Sequence, residues 1–242
     1  MSRGSADFSN VRNNGIAHSV PSASELLNRP DGIISMDVRG QCILYNDFED
    51  GSENGAITFS ATPNYFGIAR NNVFPGFWSL RLSTNAGINN NVQLEHKVPY
   101  SVSDKSGLEA LLYCNISNAI IKVRLHFYKD LVLHEAIVRF DTNDSKTYIL
   151  NSSGTFTEIT SLIDHDFPRP YYQQVKLVVD FTTGKYVRVL LNGVIFDLSS
   201  YDYRQSATII KPAIEYKIGI ENITATAADL FIDNIIVTIQ EP

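Results

Sequence analysis

The sequence predicts an all-β fold, an antiparallel β-sandwich of the jelly-roll type over residues 41–242, preceded by an extended N-terminal arm over residues 1–40. Three observations carry this. Short apolar stretches recur along the chain with Gly, Pro, Asn and Asp between them, and several alternate strictly with polar residues. The dipeptide Asn192-Gly193 joins two such stretches, and Asn-Gly suits the type I′ hairpin because both turn residues need positive φ. Beyond residue 41 no helical period runs for more than two turns.

Residues 1–40 differ from the rest. They are rich in Ser, Asn, Gly and Arg, and four Arg balance three Asp and one Glu, so the net charge of −6 belongs to residues 41–242. Ser22-Ala23-Ser24-Glu25 reads as a capping box ahead of Leu26 and Leu27, which predicts one short helix stopped by Pro30-Asp31-Gly32. The apolar residues Phe8, Val11, Ile16, Leu26 and Leu27 are spaced along an otherwise polar segment. A solvated linker does not need them, so they are expected to anchor the arm on neighbouring subunits of an assembly.

Strands are expected near 42–48, 56–60, 78–83, 91–97 and 107–114. Ile121, Val123, Leu125 and Phe127 then alternate with Lys122, Arg124 and His126, which is one buried face and one wet face. Ala136, Val138 and Phe140 alternate with Glu135, Ile137, Arg139 and Asp141 in the same way. Further strands are expected at 145–150 and 155–160, followed by a three-strand meander over 174–181, 185–191 and 194–198, and by 214–222. The closing run from Asp229 to Ile239 is apolar on both faces, as a strand inside a two-sheet stack is.

Composition excludes several function classes. With 44% apolar and 19% charged residues the main body is too apolar to be disordered. No apolar stretch is long enough for a transmembrane helix, and a pI near 5.3 argues against nucleic acid as partner. Met1 to Asp7 lack the apolar core of a secretory signal, so export by that route is not expected. Cys42 and Cys114 stand alone in apolar runs and read as buried thiols, with a disulfide between them as the alternative.

Candidate chemistry is sparse. Asp164-His165-Asp166 is a loop triplet able to hold an acid–base pair, and His126 and His134 are expected as near neighbours across a hairpin through Asp130. No nucleophile elbow, phosphate loop or dinucleotide motif is present. Acidic residues after the first core strand (Asp47, Glu49, Asp50) and Asp233-Asn234 in the last strand are expected to approach each other, because first and last strands of such sandwiches often pair; a structural calcium is one use for their oxygens. Exposed aromatics able to stack on sugar rings are sought at Tyr171, Tyr172, Tyr201 and Tyr203.

Four local patterns resemble non-catalytic carbohydrate-binding modules and the wider concanavalin A-like group. They are Tyr45-Asn46-Asp47-Phe48-Glu49-Asp50-Gly51, Phe77-Trp78-Ser79-Leu80-Arg81-Leu82, the hairpin around Asn192-Gly193, and Leu230-Phe231-Ile232-Asp233-Asn234-Ile235. The resemblance implies a calcium held by Glu49 and Asp233, and no enzyme, since the acidic strand motif of the group's glucanases is missing. A jelly roll with a neutral arm and no export signal also looks like a virion component, such as a bacteriophage decoration, fibre or tail protein assembled in the host cytoplasm. The expected function is therefore a non-enzymatic structural part of a phage particle, forming homo-oligomers through its arm. The alternative is a carbohydrate-binding module using Tyr171, Tyr172, Tyr201 and Tyr203.

Overall fold

A computed structural model describes residues 39–51, 55–63, 65–70, 77–98, 104–114, 116–159, 165, 167–168 and 171–242. The expected arm anchors Phe8, Val11, Ile16, Leu26 and Leu27 lie outside the described residues, as do the short helix and Asp164 and Asp166. The described residues form strands and no helix. In chain order these are β1 (Gln41–Asn46), β2 (Ala56–Phe59), β3 (Tyr65–Ala69), β4 (Ser79–Ser83), β5 (Asn91–Val98), β6 (Lys105–Tyr113), β7 (Ala119–Lys129) and β8 (Val132–Asp141). They continue as β9 (Lys146–Leu150), β10 (Phe156–Glu158), β11 (Gln173–Asp180), β12 (Lys185–Leu191), β13 (Val194–Asp197), β14 (Arg204–Ala207), β15 (Ala213–Asn222) and β16 (Asp229–Ile239).

Two antiparallel sheets stack as a sandwich. The back sheet runs β13-β12-β11-β6-β16-β4-β3, and the front sheet runs β10-β9-β8-β7-β15-β5-β2. Alternation decides what faces inward. Ile121, Val123, Leu125 and Phe127 of β7 meet Leu108, Ala110 and Leu112 of β6 and Val175, Leu177 and Val179 of β11 in one core. At about 25 cal/mol per Å² of apolar surface buried, this core is the main stabilising term of the fold.

Two central strands share one long edge between two shorter partners. β16 pairs with β4 along Asp229–Ile232 and with β1 from Ile235 onward. A bulge centred on Asn234, whose φ is 48°, marks the change. The extra residue resets the alternation, so Leu230 and Ile232 point inward before it and Ile235, Val237 and Ile239 after it. β8 likewise pairs with β14 along Val132–Glu135 and with β9 from Val138. The predicted meander is β11-β12-β13, and its Asn192-Gly193 turn has φ values of 50° and 81°. First and last strands pair as expected.

β3 and β14 are absent from the sequence expectation. β3 carries Gly67 at φ 140°, and β14 is the short polar run Arg-Gln-Ser-Ala at a sheet edge. Both cysteines are free thiols, and burial pushes each up to about 11, so neither is a reactive nucleophile at neutral pH.

Candidate functional site

The two outer faces differ. On the back sheet, Lys176 of β11 and Arg188 of β12 meet Glu241 at 2.8 and 2.7 Å, and the Lys176 ammonium also donates to the Arg39 carbonyl at 3.2 Å. Glu109 accepts from the Gln174 amide beside them. All these side chains are buried, so the centre of that face is sealed by the chain itself.

The outer face of the front sheet is open and polar. Register places Arg139 (β8) beside Lys122 (β7), Gly219 (β15) and Gln93 (β5) in one row. The next row carries Ile137, Arg124, Lys217 and Glu95, and the third Glu135, His126, Glu215 and Lys97. Tyr148 of β9 and Phe156 of β10 flank Arg139, whose guanidinium lies 4.9 and 5.5 Å from their ring centres. Among the described residues two buried nitrogens on this face, Arg124 Nε and Arg139 Nε, have no hydrogen-bond partner.

Glu215 is the hub of the third row. Its Oε2 accepts from Tyr128 Oη at 2.6 Å and from His126 Nδ1 at 3.1 Å, and Lys97 Nζ is 3.0 Å from Oε1. His126 Nε2 faces Glu135 Oε1 at 3.5 Å. Burial alone would raise the Glu215 pKa, but the His126, Tyr128 and Lys97 hydrogen bonds outweigh it and hold the carboxyl well below the usual range. Its stabilising contribution is thus present above the unfolded value of about 4.3 and is lost as the pH falls towards the folded one. His134 is held below its ordinary value by burial first and Lys129 second, so protonation favours the unfolded chain below about 6.5. Urea midpoints at pH 7, 5 and 3 are expected to fall in two stages, the first lost in His134→Gln and the second in Glu215→Gln.

The sequence-predicted residues do not converge. His126 points outward and His134 inward, because Glu135 opposes His126 and Phe127 opposes His134, so they form no pair. Tyr203, expected on a glycan surface, is a core residue; its hydroxyl lies 3.2 Å from His134 Nδ1 and donates to the Asp180 carbonyl. Tyr172 packs on Tyr113, Tyr201 packs against the core, and Tyr171 is exposed just ahead of β11. None of the four stands on the open front face. His165 is buried against Phe140 and Phe167, and its Nδ1 accepts the Phe167 amide, which gives it a packing role.

Glu49 clamps a turn. Its Oε1 accepts the Phe77 and Trp78 amides at 2.9 and 3.1 Å. Asp233 Oδ1 accepts the Asn234 amide at the bulge. Among the described residues no group of three or more His, Cys, Asp or Glu gathers to hold a metal. Glu49→Gln is expected to lose about 1–2 kcal/mol through the weakened clamp. Thermal melts with calcium and with a chelator test the calcium proposal: a clamp alone leaves both melts unchanged, whereas calcium on Glu49 and Asp233 separates them.

No family model matches the chain, and no curated protein matches its sequence. Solved structures share the fold. An endo-β-1,4-glucuronan lyase from the fungus Trichoderma reesei is similar at 11% identity, over 81% of this chain and 95% of its own, with a TM-score of 0.59. A carbohydrate esterase of Shiga toxin-encoding bacteriophage phi24B gives a TM-score of 0.52 at 12% identity, covering 81% and 97%. A Bacillus subtilis protein of galectin-like fold gives 0.52 at 10% identity, covering 83% and 96%. The chain thus has the jelly-roll, lectin-like sandwich fold. The expectation that it is no enzyme is overturned as an exclusion: the same sandwich serves a lyase, and missing glucanase acids do not rule out catalysis.

Proposed function

We propose that the chain is a glycan-binding β-sandwich and that the outer face of the front sheet is its binding surface. One observation carries this reading: that face sets the planar polar side chains of Arg139, Gln93 and Arg124 in adjacent rows beside the rings of Tyr148 and Phe156. Sugars need this mixture, because hydroxyls take hydrogen bonds while ring C–H faces lie on aromatic rings. The sealed back face offers no equivalent at its centre. The names of two structures of similar fold, a polysaccharide lyase and a carbohydrate esterase, agree with a carbohydrate ligand.

Affinity electrophoresis of the full chain through a panel of neutral and charged polysaccharides tests the reading. Retardation by at least one polymer is expected, reduced about fivefold or more in Tyr148→Ala, as a loss above about 1 kcal/mol gives, and unchanged in Tyr65→Ala on the back sheet. Absence of retardation by every polymer overturns the reading. The same incubations, assayed for new chain ends, report turnover. The phage esterase of similar fold favours a second reading, a virion protein that adheres to glycans. Light scattering of the full chain tests its assembly part, since a monomer at all concentrations argues against self-association.

A further inference from the structure

Within the glycan-binding reading, on which this step rests, we infer that the ligand is a carboxylated glycan, a polyuronate, and that Arg124 receives its carboxylate. Most cations of the front face are already paired with a carboxylate. Lys97 pairs with Glu215, Lys122 with Glu221, Arg139 with Asp141, Lys146 with Glu158, Arg204 with Glu135 and Lys217 with Glu95, at 2.6 to 3.3 Å. Arg124 sits at the middle of the same face, and among the described residues no carboxylate lies within ion-pair distance of it. Glu135, Glu221 and Glu95 reach it only as longer-range charges.

Three arginines that do hold a carboxylate, Arg81, Arg139 and Arg188, show what Arg124 is missing. Arg81 grips Asp229 with Nε and Nη2, at 3.4 and 3.0 Å. Arg139 uses Nη2 on Asp141, and Arg188 uses Nη2 on Glu241. Among the described residues Arg124 uses Nη1 alone, on a neutral acceptor, the Gln93 Oε1. Among the described residues Nη2 meets no acceptor, and Nε is buried with none.

This arrangement is held in place. Gln93 Nε2 donates to Thr58 Oγ1 at 2.9 Å, which fixes the amide so that its oxygen faces Arg124. Gln93 leans across β15 at Gly219, where a Cβ would run into Gln93 Cβ and the Val92 carbonyl. The result is a positioned guanidinium, supported by an amide and short of one anion. Charge-assisted pairing makes a carboxylate the better occupant than a hydroxyl. Because every neighbouring cation is already matched, one negative group per binding site suffices, as a uronate residue supplies. Densely sulfated chains, in contrast, meet the Glu residues that surround Arg124.

The test is calorimetric titration of the full chain with polygalacturonate, its carboxyl-reduced form, a sulfated glucan and a sialylated oligosaccharide. The expected result is binding to polygalacturonate that weakens at least tenfold on carboxyl reduction and falls with added salt. Arg124→Gln is expected to lose at least tenfold with its melting temperature unchanged, and Gln93→Leu severalfold. The carboxyl-reduction arm needs no variant, so it decides even where Arg124→Gln misfolds. Equal binding of the native and reduced polymers, or an unaffected Arg124→Gln, overturns the carboxylate inference and leaves the glycan reading standing. Binding of only the sulfated or only the sialylated ligand overturns the choice of a uronate. Failure to bind any glycan, including the full neutral panel, overturns both.

Discussion

Glu241→Ala is expected to lower the unfolding free energy by about 3–5 kcal/mol, as removal of one member of a buried ion cluster does. Lys176 and Arg188 both direct their cations at this carboxylate, and both Lys176 and Glu241 have fully buried side chains. Thr238 Oγ1 donates to the same group, and the neighbouring Pro242 carbonyl accepts from Arg188 Nη1 at 2.8 Å. Removing the carboxylate leaves two charges in a low-dielectric site without the anion that both share. Urea denaturation of the full chain measures the loss. Adding Lys176→Met to Glu241→Ala is expected to recover part of it, because one buried charge is then removed together with its need for a partner. A loss under 1 kcal/mol in Glu241→Ala would show that the back face opens to water around the cluster.

Much of the fold is legible in the sequence because parity is a local property. The alternation through Ile121, Val123, Leu125 and Phe127 fixes which side of β7 is buried without knowledge of the partner strand. The Asn192-Gly193 turn fixes the register of β12 and β13 through its own backbone requirement. β14 escapes notice for the opposite reason. Its four residues have no apolar alternation, and it is a strand because β8 offers it an edge. β3 is similar, since its pairing with β4 overrides the weak strand preference of a run containing Gly67.

The candidate site is legible only in part. The outward set Lys122, Arg124 and His126 is visible as the wet half of an alternation, but wetness does not distinguish a binding face from an ordinary surface. That distinction depends on pairings far apart in sequence: Lys122 with Glu221, Lys217 with Glu95, and Arg124 with Gln93. Of the tyrosines expected to be exposed, Tyr171 is, and Tyr203 is not, for a related reason. A tyrosine beside a turn residue looks exposed, yet Tyr203 reaches back to His134 and to the Asp180 carbonyl and lies in the core. Tyr148, which does stand on the open face, sits mid-strand and carries no local mark.

Tyr186 joins the two sheets, and its removal is the other large effect expected. The strand β12 that carries it belongs to the back sheet, and its ring is fully buried. On β8 of the front sheet, β14 stops pairing at Glu135 and β9 starts at Val138, which leaves the backbone of Ile137 in the gap between them. The Tyr186 hydroxyl fills that gap: it accepts the Ile137 amide at 3.1 Å and donates to the Leu150 carbonyl at 2.8 Å. Burial raises the phenol's pKa, so it is a neutral donor at neutral pH. Tyr186→Phe keeps the ring and strands these backbone groups, at an expected cost of about 1–3 kcal/mol. Tyr186→Ala also empties the ring's site against Tyr203 and should cost about 3–5 kcal/mol or more. Hydrogen exchange at the Ile137 amide separates the two effects. Loss of protection there in Tyr186→Phe, with neighbouring β8 amides still protected, assigns the hydroxyl to sealing the seam between β14 and β9; a uniform drop across β8 would assign it to general packing instead.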